Sequence, residues 1–125
     1  DADPESGLPI EELLSGRRFR SNPAVTWKYL AEVGKAGVGK RPNRGHEVIA
    51  EMERHFPRVW VLTQNVDGFH RMAGSQNVID IHGDLHNLRC TRCDHFAPAG
   101  DYETLELPPK CVKCSAVLRP DVVLL

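Results

Sequence analysis

Apolar side chains recur at helical spacing through the first half of the chain and give way to short, unbroken apolar runs in the second. Ile10 to Leu14 reads as a short helical start. Asn22 and Pro23 then open a longer helix, because Asn can cap and Pro suits the first turn. Val25, Tyr29 and Val33 share one face of it, with Trp27, Leu30 and Gly34 alongside. Gly37 and Gly39 end it. A second helix begins at Pro42-Asn43, carries the apolar stripe Val48, Ile49, Met52 and Phe56, and stops at Pro57.

The pattern changes at Val59-Trp60-Val61-Leu62, a continuously apolar run that predicts a strand buried on both faces, as in a parallel sheet. Helix, strand and polar loop in that order predict one αβ unit of a doubly wound sheet. Val78 to His82 is a second extended piece. Residues 84–118 show little periodicity and too few apolar positions for a core of their own, so something else must organise them. Arg119-Pro120 leads into Val122-Val123-Leu124-Leu125, which reads as a final buried strand.

Composition narrows the class. The 125 residues suffice for one modest core. A formal net charge of −1 gives no broad electrostatic surface for nucleic acid or membrane, so neither is expected as a direct partner. Arg17, Arg18 and Arg20 form one dense basic patch, read as a solvated helix end. No run approaches the roughly 20 apolar residues of a membrane helix. The acidic, polar start Asp1-Ala2-Asp3-Pro4 does not read as a signal peptide. These features, with reduced cysteines, predict an intracellular, cytoplasmic protein, with the nucleus open to it in a eukaryote.

The four cysteines fall in two C-x-x-C pairs, Cys90/Cys93 and Cys111/Cys114. The spacer Asp94 to Lys110 lies within the roughly 15–20 residues of a two-knuckle zinc site. Each tight turn aims two sulfurs at one ion, and two turns complete a tetrahedron of thiolates. A filled tetrahedron leaves no position for water or substrate, so the expected Zn2+ is structural, one per chain. Redox pairs or disulfides are the alternative, but neither pair has the strand-to-helix setting of a redox motif. His86 and His95 lie close enough in sequence to replace a cysteine as ligand.

Three further segments carry candidate chemistry. Gly34 to Lys40 spells G-x-x-x-x-G-K, but Arg41 stands where a hydroxyl should, a helix precedes it and Pro42 follows, so it reads as an inter-helix loop. Thr63-Gln64-Asn65-Val66-Asp67-Gly68 follows the apolar strand directly, the place where open α/β sheets bind ligands. The amides of Gln64 and Asn65 suit ribose hydroxyls and a carboxamide, and Asp67 can accept from an amide NH2; alternatively the loop's polar side chains simply cap a following helix. Ile81-His82-Gly83 sets a histidine, able to move protons near neutrality, at the end of an extended segment. His46, His55 and His70 read as surface or capping residues.

Together these segments resemble the sirtuin family. T-Q-N-V-D-G-F-H at Thr63 to His70, followed by Ala73-Gly74, resembles the family's T-Q-N-I-D-G-L-H signature, with Val66 for the usual Ile. I-H-G at Ile81 to Gly83 resembles its catalytic-histidine motif, and the cysteine pairs followed by L-R-P-D-V-V at Leu118 to Val123 resemble its zinc module and exit strand. The resemblance implies an NAD-dependent protein lysine deacylase, a transferase that passes the acyl group to ADP-ribose and releases nicotinamide. NAD+ is then a co-substrate and an acyl-lysine protein or peptide the partner. His82 is implied as catalytic base, Gln64, Asn65 and Asp67 as the cofactor-binding residues, Cys90, Cys93, Cys111 and Cys114 as zinc ligands, and Val122 as a point where the substrate peptide adds a strand.

The fold class implied is α/β: an incomplete doubly wound, Rossmann-like parallel sheet with a helical segment and an inserted zinc-ribbon small domain. The expected divisions are 1–58 helical, 59–83 Rossmann-like strand with NAD loop and histidine, 84–118 zinc module, and 119–125 return strand of the Rossmann-like sheet. The family's G-A-G-I-S loop, T-F-R segment, F-G-E and second nucleotide-binding half do not occur in the chain, so it is expected to be an inactive fragment of a larger enzyme. Glu5-Ser6-Gly7-Leu8-Pro9 echoes the end of the glycine-rich loop but is read as chance, with neither G-A-G before it nor T-F-R after it. Two rivals stand beside this reading. A zinc-ribbon binding module explains the cysteines but not the polar loop, and Asp94, Asp101, Glu103 and Glu106 make the module's surroundings acidic. A sirtuin-like ADP-ribosyltransferase shares the motifs.

Overall fold

The structure, a computed structural model, describes residues 2–125; Asp1 lies outside them. Helices α1 (Ile10–Leu13), α2 (Gly16–Ser21) and α3 (Pro23–Ala36) follow one another closely. Ser15 caps α2 by accepting the Arg18 N–H at 3.1 Å. Pro23 starts α3 as its fixed φ allows, but Asn22 makes no side-chain cap there. Helix α4 (Arg44–Met52) is capped at both levels: the Asn43 side chain accepts the His46 N–H, and His46 Nδ1 accepts the Asn43 N–H. That assigns His46 the capping role expected of it.

The parallel sheet is present with two strands, β1 (Val61–Thr63) and β2 (Val78–Asp80), in register Val61–Val78, Leu62–Ile79 and Thr63–Asp80. The short helix α5 (Phe69–Met72) lies in their connection. Burial on both faces is not found. Val78 and Thr63 are buried, whereas Trp60, Leu62 and Ile79 are exposed. The stripe on α4 is open as well, since no residue of that helix is buried. A parallel sheet needs layers on both faces, and the described residues supply cover for one side only.

The larger sheet is antiparallel, in the order β4–β3–β5, from β3 (Gly83–Cys90), β4 (Phe96–Pro98) and β5 (Leu118–Val122). The segment expected to return to the parallel sheet therefore pairs instead with β3. Val123 and Leu125 are exposed and outside any strand. The Leu125 carbonyl accepts the Gly16 N–H at 2.8 Å, which ties this end to the α1–α2 junction.

The cysteine-bearing segment does not lack a core; it shares one. Leu88, Cys90, Ala99, Tyr102, Cys111 and Leu118 pack in a single cluster with Phe19, Trp27, Leu30 and Ala31 from α2 and α3. Trp27 is fully buried and donates its indole N–H to the Leu118 carbonyl at 2.8 Å. Tyr102 donates to the Leu85 carbonyl at 2.5 Å, and burial, with the Asp84 charge, pushes its phenol up to about 12. Gly34 lies inside α3, because its missing side chain admits the Tyr102 ring: a Cβ there would stand 2.5 Å from ring carbons. The G-x-x-x-x-G-K spelling is thus a packing site followed by a helix end.

Gly34→Ala should destabilise the protein by about 1–3 kcal/mol despite alanine's better helix propensity, because the ring cannot move aside. Denaturant unfolding in the presence and absence of Tyr102→Ala checks it: the cost should largely vanish in the double variant.

Candidate functional site

Two C-x-x-C turns bring four sulfurs together. Their Sγ atoms all lie within 4.8 Å of one another, with Cys90–Cys114 at 3.5 Å and Cys93–Cys111 at 3.6 Å. A tetrahedron with Zn–S bonds of about 2.3 Å has sulfur–sulfur edges of about 3.8 Å, so the cluster fits that geometry. Backbone N–H groups already point at the sulfurs: Arg92 and Cys93 donate to Cys90 at 3.3 and 3.4 Å, and Lys113 donates to Cys111 at 3.3 Å. The N–H groups of Cys93 and Arg92 pull the Cys90 thiol down to about 6. Cys93, though lowered by the His95 N–H, is pushed up to about 12 by burial and by the neighbouring sulfurs. Four thiolates cannot share this space without a cation, and a dication of zinc's preferences matches the donor set. Neither nearby histidine is needed: His86 Nδ1 engages Asp84 at 2.7 Å, and the set is complete with four sulfurs.

The loop after β1 is held by its backbone. Thr63 Oγ1 accepts the Asn65 N–H at 3.0 Å, and the Val66 carbonyl accepts the Leu85 N–H at 2.9 Å, hooking the loop to β3. Asp67 Oδ1 accepts the Phe69 N–H at 3.0 Å, so one carboxylate oxygen caps the first turn of α5. Gly68 takes φ +71°, and a Cβ there would press on His86 and Asp84 at 3.0–3.1 Å. The capping alternative is therefore correct for one oxygen of Asp67. Gln64 and Asn65 keep exposed side chains. All three line one groove of about 740 Å3, walled by Val33, Phe69, Met72 and Tyr102.

His82 lies in the turn between β2 and β3, exposed rather than in an apolar interior. Its Nδ1 is 3.2 Å from the Gln64 carbonyl. A carbonyl only accepts, so the bond assigns the proton to Nδ1 and leaves the lone pair of the neutral ring on Nε2. The Val123 N–H donates to the His82 carbonyl at 2.9 Å, fixing the turn from the other side. Gly83 makes that approach possible. It adopts φ +89°, and a Cβ would stand 1.9 Å from the Asp121 carbonyl oxygen. His82 and Val122 border a second cavity of about 530 Å3, distinct from the groove of Gln64, Asn65 and Asp67. The Gln64–His82 hydrogen bond joins the two.

Sequence reasoning missed part of this second cavity. Arg17 and Arg18 pair with Glu12, as a solvated helix end would, but Arg20 lines the cavity with Arg89 and Arg119. Only the cross-strand register places Arg89 beside Arg119, and no local signal encodes it.

This architecture, a two-stranded parallel unit with a polar loop at its strand end beside a four-cysteine module, is an α/β fold with an inserted cysteine-bearing segment, and comparisons give the family. The chain matches the Sir2 family over residues 5–125 and belongs to it. NAD-dependent protein deacylase 2 of Pseudomonas aeruginosa is 55% identical over 125 residues, covering 96% of this chain and 48% of that protein. A Sir2 homologue solved with NAD superposes at a TM-score of 0.83 with 38% identity, over 93% of this chain and 45% of that one. Sir2 solved with an inhibitor, 2'-O-acetyl-ADP-ribose and a deacetylated p53 peptide superposes at 0.78 with 28% identity, over 90% and 49%. The chain spans about half the length of the curated relatives it matches. No described helix is long and apolar enough to cross a membrane.

Cys90→Ala should act on folding: the variant should release its metal and lose native packing around Trp27, measured by zinc content and near-UV circular dichroism. Loss of zinc with an unchanged spectrum would show that the cluster does not hold the fold.

Proposed function

We propose that this chain is the histidine- and zinc-bearing half of an NAD-dependent protein lysine deacylase. The observation that carries the reading is the His82 ring, anchored through Nδ1 by the carbonyl of the loop that presents Gln64, Asn65 and Asp67. Related proteins carry that activity in their names, and one neighbour was solved with both an acetylated ADP-ribose and a deacetylated peptide.

In this reading the acyl oxygen of the modified lysine would bond to the anomeric carbon of the NAD+ ribose as the bond to nicotinamide breaks and nicotinamide leaves. Asn65 and Gln64 offer uncommitted amides to the ribose and carboxamide, and Asp67 offers the oxygen not used in its cap. They hold leaving group and incoming oxygen in line, a positioning contribution. His82, with its free lone pair on Nε2, takes the proton of a ribose hydroxyl, and that oxygen attacks the acyl carbon. One water then adds at the acyl carbon and the lysine amine leaves, so that free lysine and O-acyl-ADP-ribose result, nicotinamide having departed in the first step. The peptide extends β5 at Val122, an edge strand paired only with β3 among the described residues. The zinc, held by Cys90, Cys93, Cys111 and Cys114, takes no part in the chemistry.

The divisions 1–58, 59–83, 84–118 and 119–125 are proposed as sequence units of that enzyme, with the last extending the zinc module's sheet. Adenosine contacts are assigned to the remaining half of the enzyme. The cellular site of action is proposed to be the cytoplasm.

In the full-length enzyme His82→Ala should lower deacylation by at least about 10²-fold, the scale of general-base catalysis, while zinc content and unfolding midpoint stay unchanged. Near-normal turnover by mass-spectrometric product assay would remove His82 from the mechanism.

A further inference from the structure

The β3–β5 ladder sets two like charges directly opposite each other. Arg89 and Arg119 are cross-strand partners, while the next pair, Leu88 and Pro120, turns into the core. Like charges in that arrangement destabilise a sheet unless something answers them. Arg20, at the end of α2, adds a third guanidinium to the same cavity of about 530 Å3.

The answering charge within the chain is small. Asp121 stands 3.5 Å from Arg89. Asp80 also borders the cavity, but Arg71 holds it at 2.7 Å. Among the described residues no carboxylate lies within 4.0 Å of Arg20 or Arg119. Arg119 lies near the Phe19 ring, 5.9 Å from its centroid, and donates to the Val122 carbonyl at 2.8 Å. Burial and the like charges of Arg89 and Arg20 lower its guanidinium below the ordinary arginine value. The group is thus fixed along the strand edge, half-buried and short of negative charge.

We propose that Arg20, Arg89 and Arg119 form a carboxylate-binding subsite that selects substrate peptides with an acidic side chain close to the acyl-lysine. This rests on the reading that a peptide extends β5 at Val122. An extended peptide advances about 3.3 Å per residue and sends alternate side chains to one face, so neighbours of the modified lysine come within reach of the guanidinia. The planar guanidinium fork matches a carboxylate in two-point contact. The anchoring of Arg119 to the Val122 carbonyl sets the subsite beside the peptide backbone.

The test uses the full-length protein and acetyl-lysine peptides identical except for Glu, Gln or Lys at the two positions on each side. A fourth peptide has Gln flanks and a dicarboxylic acyl group on the lysine. Binding is read by fluorescence anisotropy and turnover by product mass. The Glu peptide should bind about tenfold tighter than the Gln peptide, the scale of one charge-assisted hydrogen bond, with the Lys peptide weaker still. That ratio should fall to near one in Arg20→Gln and in Arg89→Gln, and shrink with added salt. Equal binding of the three acetyl peptides, or a preference that survives both variants, overturns the subsite. A carboxylate preference confined to the dicarboxylic acyl group overturns its assignment to the flanking residues. Absence of turnover on every peptide counts against the deacylase reading, while the anisotropy ratios still decide the subsite.

Discussion

Four sulfurs within 4.8 Å of one another need a cation if they are to ionise together, and much of the molecule is organised around meeting that need. Two of them, Cys90 and Cys111, sit in the same buried cluster as Trp27 and Leu30. The metal site is therefore continuous with the core that α2 and α3 form. Strand β3 ends on Cys90 at one extreme and starts beside His82 at the other. Cross-linking the two C-x-x-C turns fixes the far end of that strand, and with it the register of β5. β5 then fixes His82 through the Val123 N–H.

The histidine's chemistry follows from these constraints. Its ring is oriented by a carbonyl from the β1 loop, and its backbone by the residue after β5. Gly83 lets β3 and β5 come close enough at the His82 turn, at a backbone angle that few other residues tolerate. The His82 ring is thus set by three separate elements, none of which alone determines its position. The same closeness crowds Arg89, Arg119 and Arg20 around one cavity, a charge arrangement that costs stability and is consistent with a role in ligand recognition.

Features with a local cause were legible in the sequence. The cysteine spacing announced a tetrathiolate site, because two intervening residues are all a metal knuckle needs. Pro42-Asn43 announced α4, and Thr63–Gly68 announced a polar loop at a strand end. Features with a distant cause were not legible. Leu88, Ala99, Tyr102 and Leu118 have no common period, because their partners lie on α2 and α3. The run Val122–Leu125 looked like a buried parallel strand, yet the ladder partner of β5 is the antiparallel β3. Trp60 and Leu62 had the composition of a doubly covered strand, but are exposed among the described residues. Asn22 had the right chemistry for a cap and does not use it.

The central claim is that the Gln64 carbonyl sets the tautomer of His82 in a turn held in place by the zinc-braced strand β3. Long-range 1H–15N correlation of the histidine rings, with His82 assigned by His82→Gln, measures it in the zinc-loaded protein and after chelation. The account predicts a single Nδ1–H tautomer with zinc bound, replaced by an exchange-averaged ring once the metal is removed. An unchanged His82 spectrum in protein shown to be zinc-free would contradict it.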